Sequence, residues 1–228
     1  MIQGLIFDFD GLILDTETPA FVSWRAVFRA HGCDLSLEAW ADSIGRNPSE
    51  FDPCASLERE LGRPVACAAV RSEQARREAE LIEQETVLPG VLDYLDVARR
   101  RGLKLAVASS SDRAWVLRHL ARLGLEEHFS VLRTADDVAH TKPDPELYRS
   151  ALAALSLRAD EAIALEDSGH GVAAAKAAGL FCVAVPNPLT RALGIGRADL
   201  SIASLAAVPL EEVLAIAEAR RTGERRTR

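Results

Sequence analysis

The chain has 228 residues, of which 48% are hydrophobic, and its formal net charge is −7 at pH 7. That length suits one large domain, or a core with a modest insert, and the composition allows a sizeable buried core. The acidic balance argues against a nucleic-acid surface, and no apolar run is long enough to cross a membrane. The first residues lead straight into a strand pattern, so we also expect no signal peptide.

The cysteines carry no recognisable metal or disulfide spacing. They are Cys33, Cys54, Cys67 and Cys182, and no pair of them forms a CxxC motif. We therefore expect neither structural zinc nor a disulfide framework. Reduced thiols in a cytoplasmic protein are the expectation, because disulfides are rare in that compartment.

Strand patterns alternate with helix patterns through most of the chain. Apolar segments rich in Val, Ile, Leu or Phe predict four strands, and two weaker segments predict two more. The strand segments are 4–9, 103–109, 129–136, 162–167, 180–187 and 198–204. The helix segments are 91–102, 112–124, 145–157 and 171–179. This alternation predicts the α/β class, with a Rossmann-like, doubly wound parallel sheet as its core.

The alternation is interrupted directly after the first strand. Four patterns in this interval predict helices, and none predicts a strand. They cover 18–32, 36–45, 52–62 and 65–85. We therefore predict an α/β core domain formed by 1–15 and 88–228, with an inserted α-helical cap domain at 16–87. Because the insert leaves from the carboxyl end of a strand, it should cover the edge where such sheets bind ligands.

Carboxylates follow two of the predicted strands at their carboxyl ends. They are Asp8, Asp10, Glu166 and Asp167. Parallel strands end at one edge of a sheet, so these four groups should converge. Each unpaired charge there would cost several kcal/mol on desolvation. A bound divalent cation removes that cost, and all-oxygen ligands suit Mg²⁺.

Two further polar residues could hold a phosphate beside such an ion. Ser109 ends the second strand, and Lys142 lies in a loop before a helix. A hydroxyl and an ammonium group can bind phosphate oxygens, while a carboxylate facing the phosphorus can attack it and form an acyl phosphate. Each of these residues taken alone is more commonly a cap, turn or exposed residue. Their joint position at one edge favours phosphate chemistry.

The segments that carry these residues resemble the four ordered motifs of the haloacid dehalogenase-like superfamily. The resemblance is strongest to its phosphatase and β-phosphoglucomutase-like branch, and it covers essentially the whole chain. The segments are "DFDGLILDTE" at 8–17, "VASSSD" at 107–112, "TKPDPELY" at 141–148 and "LEDSGHGVAAAKAAG" at 165–179.

The resemblance implies a role for each residue of the phosphate-transfer machinery. Asp8 would be the nucleophile and a metal ligand. Asp10 would be the general acid and base, and its backbone carbonyl would bind the metal. Ser109 and Lys142 would bind the transferring phosphoryl group, with Lys142 also steadying Asp8.

The resemblance also implies the rest of the Mg²⁺ site and the part played by the insert. Asp167 would be a direct metal ligand, and Glu166 would act directly or through water. The insert would be a helical cap that opens and closes over the site. Within it, Arg46 is a candidate to contact the leaving group of the substrate, although a surface arginine at a helix end is an equally ordinary interpretation. His170 is expected at the rim of the site.

Departures from the family pattern narrow the activity. Asp10 argues against dehalogenases and phosphonate hydrolases, which lack the second acid. Sugar phosphomutases carry a histidine near position 20, where this chain has Ala20. We therefore predict a Mg²⁺-dependent phosphomonoester hydrolase for a small phosphorylated metabolite, with sugar phosphates as candidates, and we expect a monomer. The alternatives are a sugar phosphomutase and a non-catalytic module that has kept the site.

Overall fold

A six-stranded parallel sheet forms the centre of the computed structural model, which describes residues 1–41, 52–187, 189–192 and 195–226. The strands are β1 (Gly4–Phe7), β2 (Lys104–Ala108), β3 (Val131–Arg133), β4 (Ala162–Glu166), β5 (Phe181–Ala184) and β6 (Leu200–Ser201). Their order across the sheet is β3-β2-β1-β4-β5-β6, and every neighbouring pair is parallel. The predicted α/β class and the predicted parallel sheet are confirmed.

Nine α-helices surround and extend this sheet in the described ranges. They are α1 (Glu17–Ala30), α2 (Leu37–Ala41), α3 (Pro53–Leu61), α4 (Cys67–Ile82), α5 (Val91–Arg100), α6 (Arg113–Leu123), α7 (Glu146–Leu155), α8 (Gly169–Ala177) and α9 (Leu210–Arg226). The sequence patterns did not predict α9. Its buried residues Leu210, Val213, Leu214 and Ala217 follow the spacing of one helix face and could have revealed it. None of the described helices is both long and apolar enough to span a bilayer.

The central strands are apolar without interruption because both faces of the sheet are covered. All four residues of β1 are buried. Leu5 and Phe7 belong to one hydrophobic cluster, and Ile6, between them, belongs to another. Successive side chains of a strand point to opposite faces, so these clusters are the cores above and below the sheet. Helices on both faces leave the carboxyl edge of the strands as the open side.

The helices that follow β1 have a hydrophobic cluster of their own. Phe21, Trp24 and Phe28 of α1 pack in it with Trp40 and Leu57. The chain enters and leaves this helical segment along two neighbouring stretches, because Leu14 forms an antiparallel bridge with Val87. The described residues of the segment form helices and no strand, as the patterns predicted.

Two of the four cysteines form a disulfide, so the prediction of four reduced thiols without a disulfide was wrong. Cys54 lies in the first turn of α3 and Cys67 begins α4; their sulfur atoms are bonded, and their Cα atoms are 5.9 Å apart. Cys33 and Cys182 are free. The 13-residue separation gave no signal in the sequence, because packing of α3 against α4 creates the contact.

Candidate active site

Three carboxylates from neighbouring strands meet at the carboxyl edge of the sheet. Asp8 directly follows β1, while Glu166 and Asp167 stand at the end of β4. The register pairs Phe7 with Leu165, which sets Asp8 beside Glu166. One oxygen from each of the three carboxylates lies within 4.8 Å of the others, and all three residues are buried. Of the four carboxylates predicted to converge, Asp8, Glu166 and Asp167 therefore do so in this cluster.

Lys142 is the cation of this buried cluster. Its Nζ atom lies 2.7 Å from Asp8 Oδ1 and 2.6 Å from Glu166 Oε1, and the residue is only 1% exposed. The Tyr148 hydroxyl donates a hydrogen bond of 2.5 Å to the same Glu166 oxygen. Asp167 accepts from the neutral amide of Asn187 at 2.8 Å. One lysine thus faces three buried carboxylates, and negative charge remains in excess.

The protonation of the cluster reflects this excess. Burial and the neighbouring Glu166 raise the pKa of Asp8 to about 8, against the opposing effect of Lys142. Burial, followed by Asp8 and Glu166, raises the pKa of Asp167 well above its ordinary value. Burial lowers the pKa of Lys142, but the two carboxylates outweigh burial and hold that pKa above its ordinary value. These shifts oppose full ionisation of the group in the absence of a further positive charge.

The donor set fits a hard divalent cation. Three buried carboxylates supply only oxygen ligands, the kind that Mg²⁺ prefers. Two glycines make room for them: a Cβ atom at Gly171 would overlap the carboxylate of Glu166, and one at Gly11 would overlap that of Asp167. Gly11 also has a φ of +78°, which disfavours any other residue. The sequence surrounding the carboxylates is therefore shaped to keep them close together.

Asp10 stands apart from this cluster and is held by four side-chain donors. Thr16 Oγ1 and Trp115 Nε1 each donate to its Oδ1 at 2.9 Å. Ser109 Oγ and Ser111 Oγ donate to its Oδ2 at 3.1 Å and 2.7 Å. The Asp10 carboxylate is thus a fixed acceptor beside the cluster, and Ser109 lies behind it as one of its supports.

A cavity of about 640 Å³ lies between the sheet edge and the helical segment. Asp8, Asp10 and Lys142 line its floor, and Ser110 and Ser111 line one side. A volume of this size accommodates a small molecule considerably larger than phosphate. Asp8, Asp10 and Lys142 therefore open into a space that could hold both a phosphate group and what is attached to it.

The wall opposite the cluster is formed by helices and contains polar residues that the sequence patterns did not single out. Glu17, Arg71, Gln74 and Glu78 all face the cavity. Burial and Asp10 raise the pKa of Glu17 to about 8. Burial also raises the pKa of Glu78, although its hydrogen bond from Gln74 opposes this. Glu17 closes the motif segment at 8–17, although the motif assigned it no role, whereas no local pattern distinguishes Arg71, Gln74 and Glu78 from other polar residues on helices.

Two predicted residues are not brought into the site by the described structure. Arg46 lies outside the described residues. His170 is half-buried in the first turn of α8 and is not among the described residues that line the cavity. Ser109 is fully buried, and its hydroxyl binds Asp10 while its neighbours Ser110 and Ser111 reach the cavity.

The chain is similar to known proteins in both sequence and fold. The family model of haloacid dehalogenase-like hydrolases matches residues 5–185. The chain is 42% identical over 214 residues to YhcW of Bacillus subtilis, which is named as a phosphatase, with 94% of this chain and 97% of that protein covered. It is 32% identical over 215 residues to the phosphorylated carbohydrates phosphatase of Thermotoga maritima, covering 93% and 97%. The crystal structure of CbbY from Rhodobacter sphaeroides in complex with phosphate superimposes with a TM-score of 0.71 at 30% identity, covering 90% of this chain and 96% of that one.

Proposed function

The chain belongs to the haloacid dehalogenase-like hydrolase family as a phosphatase, and we propose that it hydrolyses the phosphomonoester of a small metabolite with Mg²⁺ bound. The observation that carries this proposal is the buried cluster of Asp8, Glu166, Asp167 and Lys142, of which Asp8 and Lys142 line the cavity. Three buried carboxylates beside one lysine favour a further cation when they ionise, and an anionic ester is stabilised by both a cation and an ammonium group.

The proposed metal site uses the residues that the family motifs imply. Asp8, Asp167 and the backbone carbonyl of Asp10 would bind Mg²⁺ directly. Glu166 suits an indirect role, because its Oε1 already binds Lys142 and Tyr148. When bound, the ion supplies positive charge that offsets the carboxylates and polarises the phosphoryl oxygens.

The reaction proposed for these side chains has two halves. Asp8 attacks the phosphorus, and the bond to the leaving oxygen breaks while Asp10 delivers a proton to that oxygen. A water molecule then attacks the aspartyl phosphate, Asp10 takes a proton from it, and the bond to Asp8 breaks. Lys142, ion-paired with Asp8, holds the phosphoryl group, as does Ser109 if it turns away from Asp10.

A polyhydroxylated leaving group, as in a sugar phosphate, is the proposed substrate class. Trp24 and Trp40 offer apolar surface in the cavity, and Glu17 and Glu78 offer carboxyl groups that accept hydrogen bonds from hydroxyls. Glu78 is held in place by the amide of Gln74, which donates to it at 2.7 Å. The relative from Thermotoga maritima, named for phosphorylated carbohydrates, supports the same class. Arg46 is proposed as a further contact to the leaving group.

Hydrolysis is favoured over the mutase alternative by one position in the cavity. Ala20 lines the cavity in the region where family mutases carry a histidine. A mutase must retain the phosphoenzyme until a second sugar hydroxyl arrives, and the methyl group of Ala20 cannot activate such a hydroxyl. We therefore propose that water captures the phosphoenzyme.

The helical segment is proposed to act as a cap over the site. In this proposal residues 16–87 form the cap domain, and 1–15 with 88–228 form the core domain. The bridge between Leu14 and Val87, where the chain enters and leaves the segment, is suited to a hinge. We further propose that the protein acts as a monomer on small molecules, without a nucleic-acid partner.

Release of inorganic phosphate from a panel of phosphorylated metabolites tests the proposed function. We expect turnover with Mg²⁺, loss of turnover with EDTA, and loss of turnover in Asp8→Asn. Asp93→Asn, an exposed residue of α5, is the matched control and should retain full activity. Substantial turnover by folded, metal-replete Asp8→Asn would reject the aspartyl-phosphate route, and formation of a sugar phosphate isomer would favour the mutase.

A further inference from the structure

The two oxygens of the Asp10 carboxylate have partners of different chemical kinds. Oδ1 accepts from Thr16 Oγ1 and Trp115 Nε1, each at 2.9 Å. Oδ2 accepts from Ser109 Oγ at 3.1 Å and Ser111 Oγ at 2.7 Å. A hydroxyl group can rotate and either donate or accept, whereas an indole N–H only donates. Only Oδ1 therefore faces a partner that cannot accept a hydrogen bond.

The indole ring of Trp115 is held so that its N–H stays directed at Asp10. Trp115 lies in the first turn of α6, where its backbone N–H donates to the capping carboxylate of Asp112 at 2.7 Å. The ring meets His119 edge to face, with 4.5 Å between centroids, and the Arg118 guanidinium lies 5.2 Å from the ring centre. His119 is completely buried. The ring cannot turn away without losing these contacts.

We propose that Trp115 is a positioning residue that assigns the two oxygens of Asp10 to different tasks. The inference rests on the proposed function, in which Asp10 is the general acid and base. The indole N–H can only donate, so it fixes Oδ1 as a hydrogen-bond acceptor and leaves Oδ2 as the oxygen that exchanges the proton in the proposed reaction. Partners of both oxygens line the cavity, Thr16 and Trp115 on the Oδ1 side and Ser111 on the Oδ2 side, so the assignment follows from the donor-only chemistry of the indole.

The proton transfers of both half-reactions then use one oxygen. In the first, the proton on Oδ2 moves to the leaving oxygen as its bond to phosphorus breaks, and Asp10 becomes a carboxylate. In the second, Oδ2 takes a proton from water as the water oxygen bonds to phosphorus and the bond to Asp8 breaks. Asp10 returns to its starting protonation, and no other reactant is needed.

A role as cavity wall alone would not require this hydrogen bond. All three tryptophans of the chain, Trp24, Trp40 and Trp115, line the cavity. Among the hydrogen bonds described for the Asp10 side chain, the one from a tryptophan comes from Trp115. A wall needs the ring, while positioning needs the N–H, and this difference can be measured.

Trp115→Phe retains an aromatic ring but removes the N–H donor together with part of the indole volume, and a general effect of lost ring volume should act on both test esters alike. The test uses benzyl phosphate and 2,4-dinitrophenyl phosphate, which are similar in size but differ in whether the leaving oxygen needs a proton. We expect kcat/KM to fall about tenfold or more for benzyl phosphate and less than about threefold for the dinitrophenyl ester. The loss on benzyl phosphate is a part of the rate enhancement of about a hundredfold or more that general acid catalysis contributes. Trp24→Phe is the matched control, with equal effects on both esters. Equal losses on both esters in Trp115→Phe would overturn the proposal.

Two measurements separate this inference from the proposed function. In an Asp10→Asn background, Trp115→Phe should cause no further loss on benzyl phosphate, because coupled residues are not additive; a full additional loss would overturn the inference. The indole N–H signals of the three tryptophans can also be followed by NMR without turnover. Asp10→Asn should displace the signal of Trp115 more than that of Trp24, and an unmoved signal would overturn the inference. Failure of the proposed function would appear instead as no Mg²⁺-dependent turnover of any ester by the wild type, with the Trp115 signal still displaced.

Discussion

Binding of Mg²⁺ should release a proton from the carboxylate cluster. The folded, metal-free protein holds Asp8 at a pKa of about 8, because of burial and Glu166, whereas an unfolded aspartate has a pKa near 3.8. At pH values between these two pKa values, Asp8 therefore keeps its proton in the folded state and has lost it in the unfolded state. Raising the pH from about 4 to 8 removes stability from the metal-free protein, on the order of 5 kcal/mol for a shift of this size.

The same shift sets the pH dependence of metal affinity. At pH 7, most metal-free molecules carry the proton on Asp8, so Mg²⁺ must displace about one proton from it, and the raised pKa of Asp167 can only add to that number. Linkage then predicts that the apparent affinity rises at least about tenfold per pH unit between pH 6 and 7.5, about 1.4 kcal/mol per unit.

Isothermal titration calorimetry in two buffers of different ionisation enthalpy measures this proton release directly. Thermal unfolding at increasing Mg²⁺ gives the affinity independently, since a ligand at about 100 times its Kd adds about 2.7 kcal/mol of stability. Asp8→Asn should bind Mg²⁺ more weakly and with a flatter pH dependence, while the exposed Asp93→Asn should behave as wild type. A Mg²⁺ affinity that is constant from pH 6 to 8, without proton release, would refute the reasoning.

Substitutions elsewhere in the site and the helical segment test other parts of the structure. Lys142→Met should destabilise the metal-free protein by about 3 to 5 kcal/mol, because it leaves buried carboxylates unpaired; a melting temperature within about 2 °C of wild type in EDTA would contradict this. Glu78→Gln should lower kcat/KM for a sugar phosphate about tenfold and leave kcat/KM for 4-nitrophenyl phosphate unchanged. Glu80→Gln, on the exposed side of the same helix, should change kcat/KM for neither substrate. Matching effects of the two substitutions would argue against a substrate contact. Reduction with dithiothreitol should lower the free energy of unfolding by about 3 kcal/mol, as measured by chemical unfolding. Dithiothreitol should have no such effect on Cys54→Ser, which lacks the disulfide, and should have the full effect on Cys33→Ser.

The sequence by itself determined the fold class and the floor of the site. Strand and helix periods depend on residues a few positions apart, so the segments that became β1 and β4 were recognisable as buried strands from their composition alone. Parallel strands end at one edge of the sheet, and this rule was enough to predict from the sequence that Asp8, Glu166 and Asp167 lie close together. The motif around Lys142 indicated a partner for them, and its ion pairs are present.

Only the tertiary structure decided which distant groups support and surround that floor. Trp115 reaches Asp10 across 105 positions, and Cys54 reaches Cys67 because two helices pack side by side. Glu78 becomes part of the cavity wall only when α4 lies over the sheet edge. Such contacts depend on how helices pack and which way their faces turn. The packing of the helices depends on the apolar surface buried over the whole chain, and a local pattern of residues does not predict it.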